Sequence, residues 1–360
     1  MNSLNIPETG RYDVMALGAL IHRLDSGNVP TRHAGSFDVH VSGAEYNLAA
    51  NTRRYGLKTA VLTGMGDYCI GEMIAEHVRA VGVDILGRKF EHTPWSGHHA
   101  AVYSSTPGGC AVNDIDYNRS DEAALMLKPG MLNYDEIFDG GVRWVHSGGL
   151  YSALGEHAPE MILEFFREAR KRGAIVSFDL NYRGKLWKYH GGREKCVEAM
   201  TEIVKNVDVL FGNETDAANA LDIKASSEKK TKTDSGPFKE AQSKIREKFP
   251  NLKIIVTSLR DEISNNRHMW GAVASVEGTI YEVPAREITV VCRIGGGDGL
   301  AGGFTRALFD GLSPQEAIEA GWASGALVAS VRGDITQSTW DHVLKVSENL
   351  RKGKAQKVER

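Results

Sequence analysis

The sequence predicts an α/β fold: a doubly wound, mostly parallel sheet flanked by helices, with a second, small β-sheet beside it. Three observations predict it. Short apolar runs alternate with amphipathic stretches, which implies parallel strands with helices on both faces. The apolar runs end in or beside Gly, Asn, Asp or Ser, as expected where strand ends turn into the loops of a ligand crevice. Residues 33–41 and 98–117 instead alternate apolar and polar side chains with no helix between them, the period of half-buried strands in a small antiparallel sheet.

The elements follow in order. "YDVMALG" (12–18) reads as the first buried strand, and a helical pattern covers 43–55. "TAVLTGMG" (59–66) is the next strand, with a helix over 71–81. "RWVHSGG" (143–149), "AIVSFDLN" (174–181), "DVLFGN" (208–213) and "KIIVTSL" (253–259) continue the strands. Helices at 157–172, 192–205 and 237–248 separate them. Residues 224–237, "KASSEKKTKTDSGP", are polar and lysine-rich and read as a surface insertion. The tail after Gly353 reads as frayed, and no internal repeat is present.

Composition narrows the function. The chain has 360 residues, 42% hydrophobic and 25% charged, as in a globular protein, and one large domain spanning 1–360 suits that length. A net charge of −3 gives no basic excess to attract nucleic acid or an anionic membrane. Its apolar runs are far too short to span a bilayer. "MNSLNIPETGRYD" has neither a basic nor an apolar signal region, so a cytoplasmic address is expected. Cys69, Cys110, Cys196 and Cys292 are scattered, which argues against a zinc ribbon or a disulfide framework. His98 and His99 are neighbours on an expected strand and would face opposite ways, which argues against joint metal ligation.

The chemistry concentrates in "VVCRIGGGDGLAGGFTRAL" (290–308), where an apolar run meets a helical pattern. Residues 297–302 satisfy G-x-G-x-x-G, but Asp298 inside the run would repel a dinucleotide pyrophosphate, and helices rather than a βαβ unit follow. Gly295, Gly296 and Gly297 can instead turn consecutive N–H groups toward one point at a helix N-terminus, forming an anion hole. A carboxylate beside such a hole suits a base that takes a proton from a hydroxyl attacking phosphorus. The alternative is that Asp298 caps the helix. No G-x-x-x-x-G-K-[ST] motif is present, so a P-loop kinase is excluded.

"IGGGDGLAGGF" (294–304) and "SGAEYNLAANTRRYGLKTAVLTGMGDYCIGE" (42–72) together resemble the two signatures of the ribokinase-like (PfkB) family of carbohydrate kinases. The likeness is nearest to the 2-keto-3-deoxygluconate kinase branch and runs from about residue 12 to 350. It implies a small β-sheet lid formed by 31–42 and 98–118, Asp298 as general base and Gly295 to Gly297 as anion hole. The sugar-binding segment G-x-x-x-N falls on Gly43 to Asn47, with Ser42 where the family usually has a first glycine. "LGALIHRLD" (17–25) resembles the branch's first strand through Gly18 and Arg23, although Ala19 replaces its acid. "DIDYNRSDEAA" (114–124) and "SFDLNYRGKLW" (177–187) resemble segments that bind the acid sugar, which implies Tyr117, Arg119 and Arg183 as ligands. Always-charged guanidinium groups suit a carboxylate, and a neutral sugar has no such need.

On the nucleotide side, "GNETDAANAL" (212–221) resembles the segment that positions magnesium and phosphates through water, implying roles for Asn213 and Asp216. Opening a helix is the alternative role for this segment. "VTSLRDE" (256–262) implies Thr257, Ser258 and Arg260 as ATP ligands, and "VRGDI" (331–335) places Asp334 near a sugar hydroxyl. Many relatives carry Asp where this chain has Cys292, and in some of them nearby carbonyls hold a monovalent cation. Loss of that charge argues against potassium activation here, and Cys292 reads as a small buried residue rather than a reactive thiol.

The resemblance therefore implies a MgATP-dependent enzyme phosphorylating the 6-hydroxyl of 2-keto-3-deoxygluconate, assembled at least as a dimer through its lids. A kinase for a neutral sugar or nucleoside, and a catalytically silent sugar-binding regulator, are the alternatives.

Overall fold

A computed structural model describes residues 4–226 and 231–353. Four residues of the polar insertion and the tail expected to fray after Gly353 lie outside the described residues. The chain begins β1 (Tyr12–Leu17), β2 (Ile21–Asp25), β3 (Asp38–Ser42), α1 (Ala44–Arg54), β4 (Thr59–Asp67), α2 (Cys69–Val81) and β5 (Asp84–Glu91). It continues β6 (Ala101–Ser104), β7 (Ile115–Asn118), α3 (Tyr134–Ile137), β8 (Val142–Gly148), α4 (Gly149–Ser152), α5 (Ala158–Lys171) and β9 (Ile175–Asp179). Then come α6 (Gly184–Trp187), α7 (Gly192–Val204), β10 (Val209–Phe211), α8 (Glu214–Ala220) and α9 (Gly236–Lys248). The last third holds β11 (Ile254–Ser264), β12 (Arg267–Val276), β13 (Thr279–Thr289), α10 (Gly296–Phe309), α11 (Pro314–Ala329) and α12 (Trp340–Arg351).

The main sheet has nine strands in the order β13-β12-β11-β10-β9-β8-β1-β4-β5. Its pairings from β11 to β5 are all parallel, while β12 and β13 close one end as antiparallel strands. Parallel strands need both faces covered, and β1 shows how that is met. Val14 packs into a core with Trp144, Leu300 and Phe304, while Met15 and Leu17 face another built on Phe165, Phe166 and Phe178. α5 supplies that second core through Met161, Ile162, Phe165, Phe166 and Ala169, one apolar face at helical spacing. Each such side chain contributes ~1.5–3 kcal/mol on burial. α11 begins where Ser313 and Glu316 form a reciprocal capping box and Pro314 takes the first helical position.

The small sheet departs from the expectation in two ways. Its order is β3-β2-β6-β7, and residues 31–33 form only a single 3₁₀ turn. β2 is an inner strand that the pattern of 31–42 and 98–118 did not include, because residues 18–20 carry the chain out of the main sheet without a helix. The sheet is also mixed. β2 and β6 run parallel, since α1, β4, α2 and β5 intervene before the chain returns, while β2–β3 and β6–β7 are antiparallel. β5, β12 and β13 were not expected either. β5 is a half-exposed edge strand with little apolar signal, and β12–β13 is a hairpin outside the strand–helix alternation. Among the described residues no helix is long and apolar enough to cross a membrane.

Candidate active site

The carboxyl ends of β9, β10 and β11 open into a cleft of about 550 Å³ that the small sheet overhangs. Ile21, Val102 and Tyr117 wall it from the small sheet, and Asp179 and Thr257 from the main one. The sequence-predicted residues, although scattered from 23 to 334, all line this one cleft.

At its floor lies the glycine turn. Gly295 is the N-cap of α10 and adopts φ 82°, where a Cβ would sit 2.2 Å from the Asp334 carbonyl oxygen. Only glycine fits there. Gly296 and Gly297 follow in the first turn, whose N–H groups have no intrahelical acceptors, and nothing lies within 4 Å of a Cβ at Gly297. The helix runs 14 residues, so its dipole adds to the positive end. Asp298 does not cap it: the cap has no side-chain bond. Its Oδ2 accepts instead from Asn47 Nδ2 at 2.8 Å. Burial pushes the Asp298 carboxyl up to about 6, helped by the Asp334 charge and opposed by the Asn47 bond and Arg183. A carboxylate in that range is ionised at neutral pH and ready to take a proton.

The sugar side is built from α1, the small sheet and α6. Gly43, at φ 154°, opens α1, and a Cβ there would lie 2.2 Å from the Ala19 carbonyl oxygen. That close approach brings Asn47, one turn on, to Asp298. Tyr117 is exposed on β7. Arg119 is tied by Nη1 to Glu122 at 3.0 Å with both side chains largely buried, while its Nε is buried without a partner. Arg183, at the N-terminus of α6, is exposed in the cleft, and among the described residues its guanidinium has no hydrogen bond or ion pair. Burial raises the carboxyls of Asp298, Asp179 and Asp216, and the Arg183 charge opposes part of that rise.

On the nucleotide side, Asn213 caps α8 by accepting from the Thr215 and Asp216 N–H groups, and Asp216 accepts from the Asn213 N–H. The helix-opening role of this segment is therefore real. Asp216 Oδ1 also accepts from Tyr182 N–H at 3.2 Å, and burial raises its carboxyl. Asp179, at the end of β9, is pushed up to about 7 by burial and by the charges of Asp216 and Asp298. Such mutually repelling carboxylates fit a hard divalent cation; no three ligating side chains among the described residues form a cage, so phosphates and water would complete the shell. Thr257 and Ser258 continue along β11, where the Thr257 hydroxyl donates to the Ser258 carbonyl. Arg260 and Arg293 share Glu262, at 3.5 and 2.6 Å, beside the glycine turn.

Comparison with known proteins agrees with this geometry. The profile described as pfkB family carbohydrate kinase matches residues 13–341. The chain belongs to this family. It is thus an ATP-using sugar kinase, a phosphotransferase with an alcohol group as acceptor, and sugar and ATP are its substrates. The kinase is 29% identical over 315 residues to the 2-dehydro-3-deoxygalactonokinase of Haloferax volcanii, covering 87% of this chain and 89% of that one. It is 26% identical over 330 residues to the 2-dehydro-3-deoxygluconokinase of Thermoproteus tenax, covering 91% of each. Its fold superposes on the crystal structure of the 2-dehydro-3-deoxygluconokinase from Thermotoga maritima with a TM-score of 0.85 and 25% identity, over 94% of this chain and 99% of that one.

Two expected sugar ligands of the kinase prove to be engaged elsewhere. Arg23, 1% exposed, sends Nε and Nη2 to both carboxylate oxygens of Asp334, so neither side chain has its charge free for a sugar. Cys292 is buried 3.8 Å from Arg23 Nη2, and burial raises its thiol, as for an inert residue. His98 and His99 precede β6 rather than lying in it. His99 is held between the Leu20 carbonyl and the Gly66 N–H, and His98 contacts His92, so the pair shares no ligand position. Asp179, Glu262 and Arg293 were missed. Asp179 was legible as the acid at a strand's carboxyl end and Arg293 as a cation two residues before Gly295, whereas Glu262 had no signal.

Proposed function

We propose that the kinase transfers the γ-phosphoryl group of MgATP to the 6-hydroxyl of 2-keto-3-deoxygluconate. The observation that carries this reading is the unpaired guanidinium of Arg183 in the cleft that holds Asp298. An exposed guanidinium with no counter-ion is free to take a substrate carboxylate through forked, charge-assisted hydrogen bonds, which a neutral sugar does not offer. The names of the Haloferax volcanii and Thermoproteus tenax relatives supply the keto-deoxy acid class.

In the proposed mechanism Arg183 and the free edge of Arg119 hold the carboxylate, and Tyr117, Gly43 and Asn47 hold the sugar's hydroxyls. Asn213, Thr257, Ser258 and Arg260, joined by Arg293, position the nucleotide phosphates. Mg²⁺, held near Asp216 and Asp179 through water, would neutralise phosphate charge. Asp298, oriented by Asn47, takes the proton of the attacking hydroxyl, and that oxygen displaces ADP from the γ-phosphorus in line. The N–H groups of residues 295–297 bind the charge of the transferred group. The small sheet excludes water from this step. Assembly of two copies through that sheet belongs to the same proposal.

The test is ADP release with MgATP across 2-keto-3-deoxygluconate, 2-keto-3-deoxygalactonate, fructose, ribose, gluconate and adenosine. Turnover confined to the keto-deoxy acids is expected. Turnover of a neutral sugar instead would remove the carboxylate roles of Arg183 and Arg119, and no turnover at all would favour a silent regulator.

A further inference from the structure

The Arg23–Asp334 pair lies next to the proposed chemistry and has no part in it so far. Arg23 projects from β2, one of the two inner strands of the small sheet, and is the only arginine of that strand. Its guanidinium is fully enclosed. Nε reaches Asp334 Oδ1 at 2.9 Å and Oδ2 at 3.1 Å, and Nη2 reaches Oδ1 at 2.6 Å. Nη1 donates to Ser104 Oγ at 2.7 Å on β6 and lies 3.1 Å from Asp25 Oδ2. Forked, charge-assisted geometry of this kind fixes both partners in orientation as well as in distance.

Asp334 belongs to the turn between α11 and α12, and that turn is the wall behind the anion hole. Its carbonyl oxygen occupies the space that a side chain at Gly295 would need. The same turn meets the small sheet twice more, through Arg332 and Asp38 at 3.1 Å and through Gly333 against the His40 ring. A rigid connection therefore runs from β2 through a buried ion pair to the backbone of residue 334, and from there to the cap of α10.

We propose that Arg23 and Asp334 form a latch that sets the position of the small sheet and the shape of the anion hole together, Arg23 acting as a positioning residue rather than a sugar ligand. The proposal rests on the kinase reading for its catalytic consequence. The pair also neutralises itself beside the base. Asp298 is faced by Asp334 from this turn, by Asn47 and Glu45 of α1, by Arg183 at α6 and by Asp179 at the end of β9. With Asp334 uncharged, an anion beside Asp298 disappears and the Arg23 cation is less covered. Both changes favour the ionised base.

Asp334→Asn is the test, because it keeps the shape and removes the charge. In kinetics with the keto-deoxy acid, kcat falls by about tenfold or more while the sugar KM stays within about threefold, and the acid limb of kcat moves to lower pH. In hydrogen exchange without any substrate, the hydrogen-bonded amides of residues 21–25 and of 299–303, the first protected turn of α10, become less protected together. A rise in sugar KM of about tenfold at unchanged kcat would make Asp334 a sugar ligand and overturn the latch. So would wild-type kinetics, or exchange that quickens in only one of the two segments. Should this variant fail to fold, Arg23→Lys carries the test, since it keeps the charge and loses the fork: reduced kcat at unchanged sugar KM supports the latch, and wild-type kcat overturns it. Failure of the kinase reading shows separately, as wild-type protein that phosphorylates no sugar, and leaves the exchange measurement intact.

Discussion

Replacing Asp298 with Asn separates catalysis from stability. The Asp298 carboxyl stands at about 6 against an ordinary 3.8, chiefly because burial penalises its charge. A rise of about two pH units, at ~1.36 kcal/mol each, puts the cost of ionising it in the fold near ~3 kcal/mol. The side chain faces an open cleft, and solvent there reduces this to ~2 kcal/mol. Because the folded protein holds this proton more tightly than the unfolded chain does, stability falls as pH rises. The loss begins near pH 4, is about half complete at pH 5 and is full above about pH 6. Asn carries no charge at any pH and still accepts the Asn47 bond. Asp298→Asn is therefore expected to be more stable than wild type by ~2 kcal/mol at about pH 8 and by about half that at pH 5, measured by urea denaturation. Its kcat in the ADP-release assay should fall by ~10²–10⁴-fold. A variant no more stable than wild type at pH 8, or one with kcat within about threefold of it, would refute the assignment of a strained, buried base.

Three further outcomes follow from the same geometry. Gly295→Ala must force a left-handed φ on alanine, at ~1–2 kcal/mol, and press its Cβ against the Asp334 carbonyl 2.2 Å away; kcat should drop by ~10²–10³-fold with a lower Tm, and wild-type kcat would show that this turn does not form the hole. Arg183→Ala is expected to raise the KM for a keto-deoxy acid by ~10–100-fold while the KM for MgATP changes little, and an equal rise in both would assign Arg183 to phosphate instead. Asn47→Ala removes a hydrogen bond that favours the charged base, so the acid limb of the pH–rate profile should move to higher pH; an unmoved limb would detach it from Asp298.

Much of this was legible in the sequence because the signals were local. The alternation of apolar runs with 3.6-period stretches found α1, α2, α5, α7 and α9 to within two residues at either end, and all but α1, which is buried all round, bury one continuous face. The glycine run marked the N-terminus of α10, the proposed anion hole, because backbone N–H groups converge most readily where side chains are missing. What failed was non-local. β2 belongs to a sheet whose partners lie at 38–42 and 101–104, and nothing in residues 21–25 says which sheet they join. Arg23 and Asp334, 311 positions apart, each resembled a sugar ligand, and only their meeting shows that they satisfy one another. The family, the phosphoryl chemistry and the candidate base proposed here were thus written in short motifs, whose meaning depends on residue type and spacing. Which cations remain free was decided by tertiary structure alone. Arg23 is consumed by Asp334 and Arg119 partly by Glu122, while Arg183 is left open, because pairing inside a fold depends on which charges burial brings within hydrogen-bond reach.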